Sequence, residues 1–160
     1  MPTIATSVCV EYTQDQMYAL VNDIAAYPRY LPMCKSVQVH SETARQIQAT
    51  ITLAKGNIKL HFTTANTMEP GKYIHMNLVE GPFKFLRGFW RFDPNVRGGC
   101  DVSFQLDFEF SNPLLRLALG GFFKEVVESL IDAFCKQAVE RYGKPSGTTA
   151  LQPMEQTGPA

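Results

Sequence analysis

VSFQLDFEFSNPLLRLALGGFFKEVVESLIDAFCKQAVERYG, residues 102–143, changes its periodicity once, and that change decides the fold. Val102, Phe104, Leu106, Phe108 and Phe110 occupy alternate positions, with Ser103, Gln105, Asp107 and Glu109 between them. Period two marks a β-strand with one apolar and one polar face. At Asn112 the period lengthens. Asn112 suits a helix cap and Pro113 the first turn. Leu115, Leu119, Phe122, Val126, Leu130, Phe134 and Ala138 then recur at three- and four-residue steps, and Gly143 ends the run. An amphipathic strand therefore feeds directly into one long helix.

Upstream, short strands follow one another. Ile4, Thr6, Val8, Val10 and Tyr12 alternate as a first strand. Thr13 and Gln16 have the spacing of a capping box. They open a short helix whose stripe is Met17, Leu20, Val21 and Ile24, before Pro28 and Pro32 break the chain. Further strands centre on Val37–Val39, Ile47–Leu53, Ile58–Thr64, Ile74–Leu78 and Phe85–Phe92, separated by glycine- and proline-bearing turns. The alternation slips near Gly88, which predicts a bulge there. A turn-linked meander buries one face, and only the terminal helix is long enough to cover it. The prediction is an α+β domain over 1–143, with about seven antiparallel strands curved around that helix. Residues 144–160, rich in Pro, Gly, Ser and Thr, read as a disordered tail.

Composition narrows the function. Fifteen basic and fifteen acidic residues balance to zero, so no global charge draws the chain to nucleic acid or anionic lipid. Cys9, Cys34, Cys100 and Cys135 are scattered and form no CxxC pair, so neither a zinc site nor a redox motif is expected. The N-terminus lacks the basic and apolar regions of a signal peptide, and no apolar run approaches a membrane span. These features predict a cytoplasmic protein whose membrane contact, where it occurs, is peripheral at the inner membrane.

No catalytic constellation stands out, and no metal site. His40, His61 and His75 fall on polar strand phases. Asp107 and Glu109 share a phase but lie opposite the aromatic one. The chain is read as a binding module that needs no cofactor, not as an enzyme. Phe62, Met76, Trp90, Phe92, Phe104 and Phe108 all take the helix-facing phase, a wall that one helix struggles to fill. Lys84, Arg87, Arg91 and Arg97 gather on one hairpin. They are either a solvated strand edge or a contact for the phosphates of lipid or RNA. Tyr27 to Cys34 is either a packed loop or a pocket rim. Gly120 and Gly121, inside the long helix, either pack against a strand or form a hinge.

Three segments carry a family resemblance. They are Val21–Ile24 running into Tyr27–Pro32, then Gly81–Lys84 through Gly88–Phe92, then Leu106–Asn112. Together they resemble the helix-grip fold of the START-like, polyketide-cyclase-like superfamily. Within it they resemble the family that holds the bacterial ribosome-association toxin RatA and the mitochondrial coenzyme Q-binding proteins. The resemblance implies a pocket for an apolar ligand, with ubiquinone or another prenylated quinone first. Its lining would come from Tyr30, Leu31, Phe62, Met76, Leu78, Trp90, Phe92, Phe104, Leu106, Phe108, Phe122, Val126 and Leu130, with Tyr30 and Asn77 as contacts for the polar head. The favoured expectation is thus a carrier or chaperone for that quinone, and the runner-up is association with the large ribosomal subunit that blocks subunit joining.

Overall fold

The computed structural model describes residues 3–144 and 152–153. Its elements are β1 (Thr3–Val10), α1 (Gln14–Asn22), a 3-10 turn (Ile24–Arg29), β2 (Cys34–Glu42), β3 (Gln46–Lys55), β4 (Ile58–Glu69), β5 (Tyr73–Glu80), β6 (Phe83–Pro94), β7 (Cys100–Phe110) and α2 (Pro113–Tyr142). A two-residue β8, Gln152–Pro153, pairs with β1 at Val8 and Cys9. Apart from Lys144 and this pair, the predicted tail lies outside the described residues. One antiparallel sheet runs β2-β3-β4-β5-β6-β7-β1-β8, so the first long strand closes against the last.

Local chemistry sets the elements. The Thr13 side chain accepts from the Gln16 amide at 3.1 Å while the Gln16 side chain accepts from the Thr13 amide at 2.9 Å, completing the predicted box. Asn112 accepts from the Leu115 amide at 2.9 Å and caps α2. Pro28 sits inside the 3-10 turn, so the chain stays helical where two prolines predicted a break. The bulge is also displaced. The β6–β7 register shifts between Phe83 and Phe85, whereas Gly88 stays in register between Met76 and Leu106. A Cβ on Gly88 would stand 3.1 Å from the Met76 sulfur and 3.4 Å from Leu106 Cδ1, so glycine there answers crowding on the inner face.

The concave face carries the core. Val102, Phe104, Leu106, Phe108 and Phe110 of β7 are all buried against α2 and its neighbours. The C-terminal end of α2 is tied down: Tyr12 Oη donates to the Gly143 carbonyl at 2.5 Å, Tyr142 Oη to that of Gln16 at 2.8 Å, and Arg141 pairs with Asp23 at 2.9 Å. Its N-terminal end is not. Leu114 and Leu117 are 77% and 85% exposed, and only Leu115 and Leu119 lean on the core. No strand atom stands within 4 Å of where a Cβ would lie at Gly120 or Gly121. A Cβ added at Gly120 would meet only Arg116 Cγ, at 3.8 Å, and one added at Gly121 would meet nothing within 4 Å, so close packing does not explain the pair.

Candidate functional site

Between the sheet and α2 lies a cavity of about 80 Å³. β3 and β4 give it Ile51, Leu53 and Phe62, β5 gives Met76, and β6 and β7 give Leu86, Trp90, Phe104 and Leu106. α2 closes it with Phe123, Val126, Val127, Leu130 and Phe134, and Tyr27, Leu31, Pro32 and Cys34 form the remaining wall. Trp90 stacks on Phe104 with centroids 4.3 Å apart and meets Phe134 edge-on at 5.4 Å, which fixes the floor. The 27–34 segment is thus both a packed loop and a wall of the cavity.

The lining is almost wholly apolar. Its side-chain polar groups are the Tyr27 hydroxyl, the Cys34 thiol and the Trp90 indole N–H. Tyr27 already donates to the Val21 carbonyl. Burial pushes its pKa well up, and that of Cys34 up to about 11, so both stay protonated. No carboxylate, imidazole, ammonium or guanidinium reaches the lining. The arrangement can desolvate an apolar group, and it offers little to orient a polar one.

The structure brings Leu31, Phe62, Met76, Trp90, Phe104, Leu106, Val126 and Leu130 together around the cavity, and separates the other predicted lining residues from it. Phe92 is buried against Tyr18 instead, 5.7 Å away. Phe108 packs in a satellite cluster with Phe83, Phe110 and Phe123. Leu78 and Phe122 join the core elsewhere, and Asn77 is exposed on the convex face. Tyr30 stands behind the wall against Tyr27 and Phe134, its hydroxyl buried without a partner. The lining missed on α2 is Phe123, Val127 and Phe134. These share a stripe with the predicted Leu130, about 100° from Phe122, a shift that spacing alone does not resolve.

The four basic residues do not form one patch. Lys84 and Arg97 flank opposite ends of β6, roughly 30 Å apart at strand rise. Lys84 pairs with Glu109 at 3.3 Å. Arg87 and Arg91 share the convex face. His40 and His61 are exposed as expected, but His75 is half-buried between Tyr73 and Phe89 on that same face.

The family model described as "Polyketide cyclase / dehydrase and lipid transport" matches residues 10–135. This chain belongs to that family. Within the polyketide cyclase and lipid-transport family, it is 42% identical over 142 residues to the ribosome association toxin RatA of Escherichia coli K12, covering 89% of this chain and 90% of the relative. It is 26% identical to the mitochondrial coenzyme Q-binding protein COQ10 of Drosophila melanogaster, covering 86% of this chain and 58% of the relative. The crystal structure of the Zhui aromatase/cyclase from Streptomyces superposes with a TM-score of 0.78 at 15% identity, covering 92% of this chain and 99% of that one, a likeness of fold. The helix-grip architecture is therefore the chain's own. The family description spans cyclases and lipid transport alike. No helix among the described residues is long and apolar enough to cross a membrane.

Proposed function

We propose that this chain associates with the ribosome through its large subunit and so hinders subunit joining. The similarity to RatA supports this reading, because it runs at 42% identity across nine-tenths of both chains. The test is subunit joining. Separated subunits brought to joining conditions with excess protein should leave free large subunits, and undiminished joining would reject the proposal.

A second reading concerns the cavity: uptake of a small apolar ligand, with ubiquinone as the sequence-based expectation. The apolar lining supports it. Size places it second. At about 80 Å³ the cavity is smaller than the ~150 Å³ void that accepts benzene, so a substituted quinone enters only if α2 or the 27–34 wall moves. Each buried methylene of a prenyl tail gains about 0.8 kcal/mol, but the bilayer offers the same, so the tail alone gives no preference for protein. Organic extraction of the purified protein tests this reading: a near-stoichiometric quinone supports it, and an empty extract rejects it.

A further inference from the structure

The convex face of the sheet carries a feature that the cavity does not use. Register places Tyr73 opposite Arg91, His75 opposite Phe89 and Asn77 opposite Arg87, on the two adjacent strands β5 and β6. The Tyr73 and His75 rings lie 4.6 Å apart and His75 meets Phe89 at 4.4 Å. The Tyr73 and Phe89 planes differ by only 24° at 6.4 Å. The three rings make a half-buried aromatic step on a face that points away from the core. Arg91 lies over Phe89 at 5.9 Å and Arg87 over Phe85 at 4.8 Å, so both guanidinium groups are held against rings while remaining exposed.

We propose that this aromatic–arginine step binds unpaired RNA nucleotides, with bases on the Tyr73–Phe89 rings and phosphates on Arg87 and Arg91. The proposal rests on the ribosome reading and names its contact surface. Cross-strand ring packing explains why the rings touch one another, but not why two exposed cations border them four residues apart on one strand. Exposed bases stack on aromatic rings and arginine planes, and phosphates need cations beside the stack. The Asn77 amide, in line with Arg87, can reach a base edge. Two carboxylates lie nearby: Asp93 pairs with Arg91 at 3.4 Å, and Asp107, in register opposite Arg87, accepts from Thr3 at 2.8 Å and keeps its charge, so phosphate must outweigh it at Arg87. The Asp93 pair is solvent-exposed and exchanges readily for phosphate. Duplex RNA hides its base faces, so single strands are preferred.

The test is fluorescence anisotropy of the full chain with labelled single-stranded oligoadenylate of about ten nucleotides, and with a duplex of equal length. Phe89→Leu with Tyr73→Leu keeps apolar bulk and removes the π-faces. Single-strand preference, with affinity falling about tenfold or more in a double variant that melts normally, supports the step. Equal affinity for duplex, no binding, or an undiminished double variant overturns it. If the double variant does not fold, Arg87→Gln with Arg91→Gln replaces it; here weaker binding with a shallower salt dependence supports the step, and unchanged binding overturns it. Sedimentation with ribosomal subunits separates the two layers. A wild-type chain that sediments, with a folded double variant that sediments equally well, overturns the step and leaves the ribosome reading standing. A wild-type chain that binds the oligonucleotide through these residues but never sediments supports the step and rejects the ribosome reading.

Discussion

Replacing Val126 by isoleucine adds one methylene to a side chain that borders the cavity. A void of 80 Å³ at about 24 cal/mol per Å³ represents roughly 2 kcal/mol of forgone packing. One methylene placed there recovers about 0.8 kcal/mol. At roughly 2–4 °C per kcal/mol for a chain of this size, Val126→Ile should raise the melting temperature by about 2–3 °C. Leu106→Ala works in the opposite sense. Leu106 is 2% exposed and lines the same space, so its truncation enlarges the cavity and should cost about 3–5 kcal/mol. Calorimetry on both variants, with and without a small apolar probe such as benzene, reads the result. The enlarged cavity should take up the probe and regain stability logarithmically as free probe rises above its Kd, while the filled one gains least. A destabilised Val126→Ile would mean that the space is already filled, because overpacking costs energy. A Leu106→Ala variant that loses under about 1 kcal/mol would refute the packing account of this wall.

Other outcomes follow from the same structure. Gly120→Ala and Gly121→Ala should each raise stability by about 0.5–1 kcal/mol in thermal melts, since nothing but ordinary contact awaits either Cβ; if the first turns of α2 hinge here, the double variant also slows ligand transfer between vesicles. Arg87→Glu with Arg91→Glu should weaken ribosome association, and the wild-type interaction should fall steeply with salt, as read by filter binding from low to physiological ionic strength. Burial raises the thiols of Cys34 to about 11 and of Cys100 and Cys135 to about 12, from an ordinary 9.0. Between these values the unfolded chain has already lost the protons that the folded chain keeps. Stability should therefore be full below about pH 9 and decline as pH rises toward 11–12, a trend that denaturant titrations at stepped pH will show.

Much of the fold was legible because strand and helix periods differ and each was sustained. The alternation of residues 102–110 needed no help from context, and the Thr13–Gln16 and Asn112–Pro113 signals placed both helix starts. The bulge was misplaced because Gly88 lacks a side chain to mark its phase. Its inward position shows only once Met76 and Leu106 are seen to crowd it. The candidate cavity was half legible. Inward phase is written in sequence, but Phe92 and Phe108 share that phase with Trp90 and Phe104 and lie beyond the cavity's ends. Which inward residues border a void depends on where α2 crosses the sheet, and that is set by ties such as Arg141–Asp23 and Tyr142–Gln16, over a hundred residues apart in the chain. The convex aromatic step was missed for a related reason. Tyr73 and His75 share a face of β5 by alternation, but Phe89 joins them only through the β5–β6 register.

The measurement that bears most directly on the central claim is sedimentation of the full chain with separated ribosomal subunits through sucrose gradients at low and physiological salt. The account predicts that the protein travels with the large subunit in near-stoichiometric amount, is absent from the small-subunit fractions, and is released as salt rises. Protein that stays at the top of the gradient at both salt concentrations, or that follows the small subunit, would contradict it.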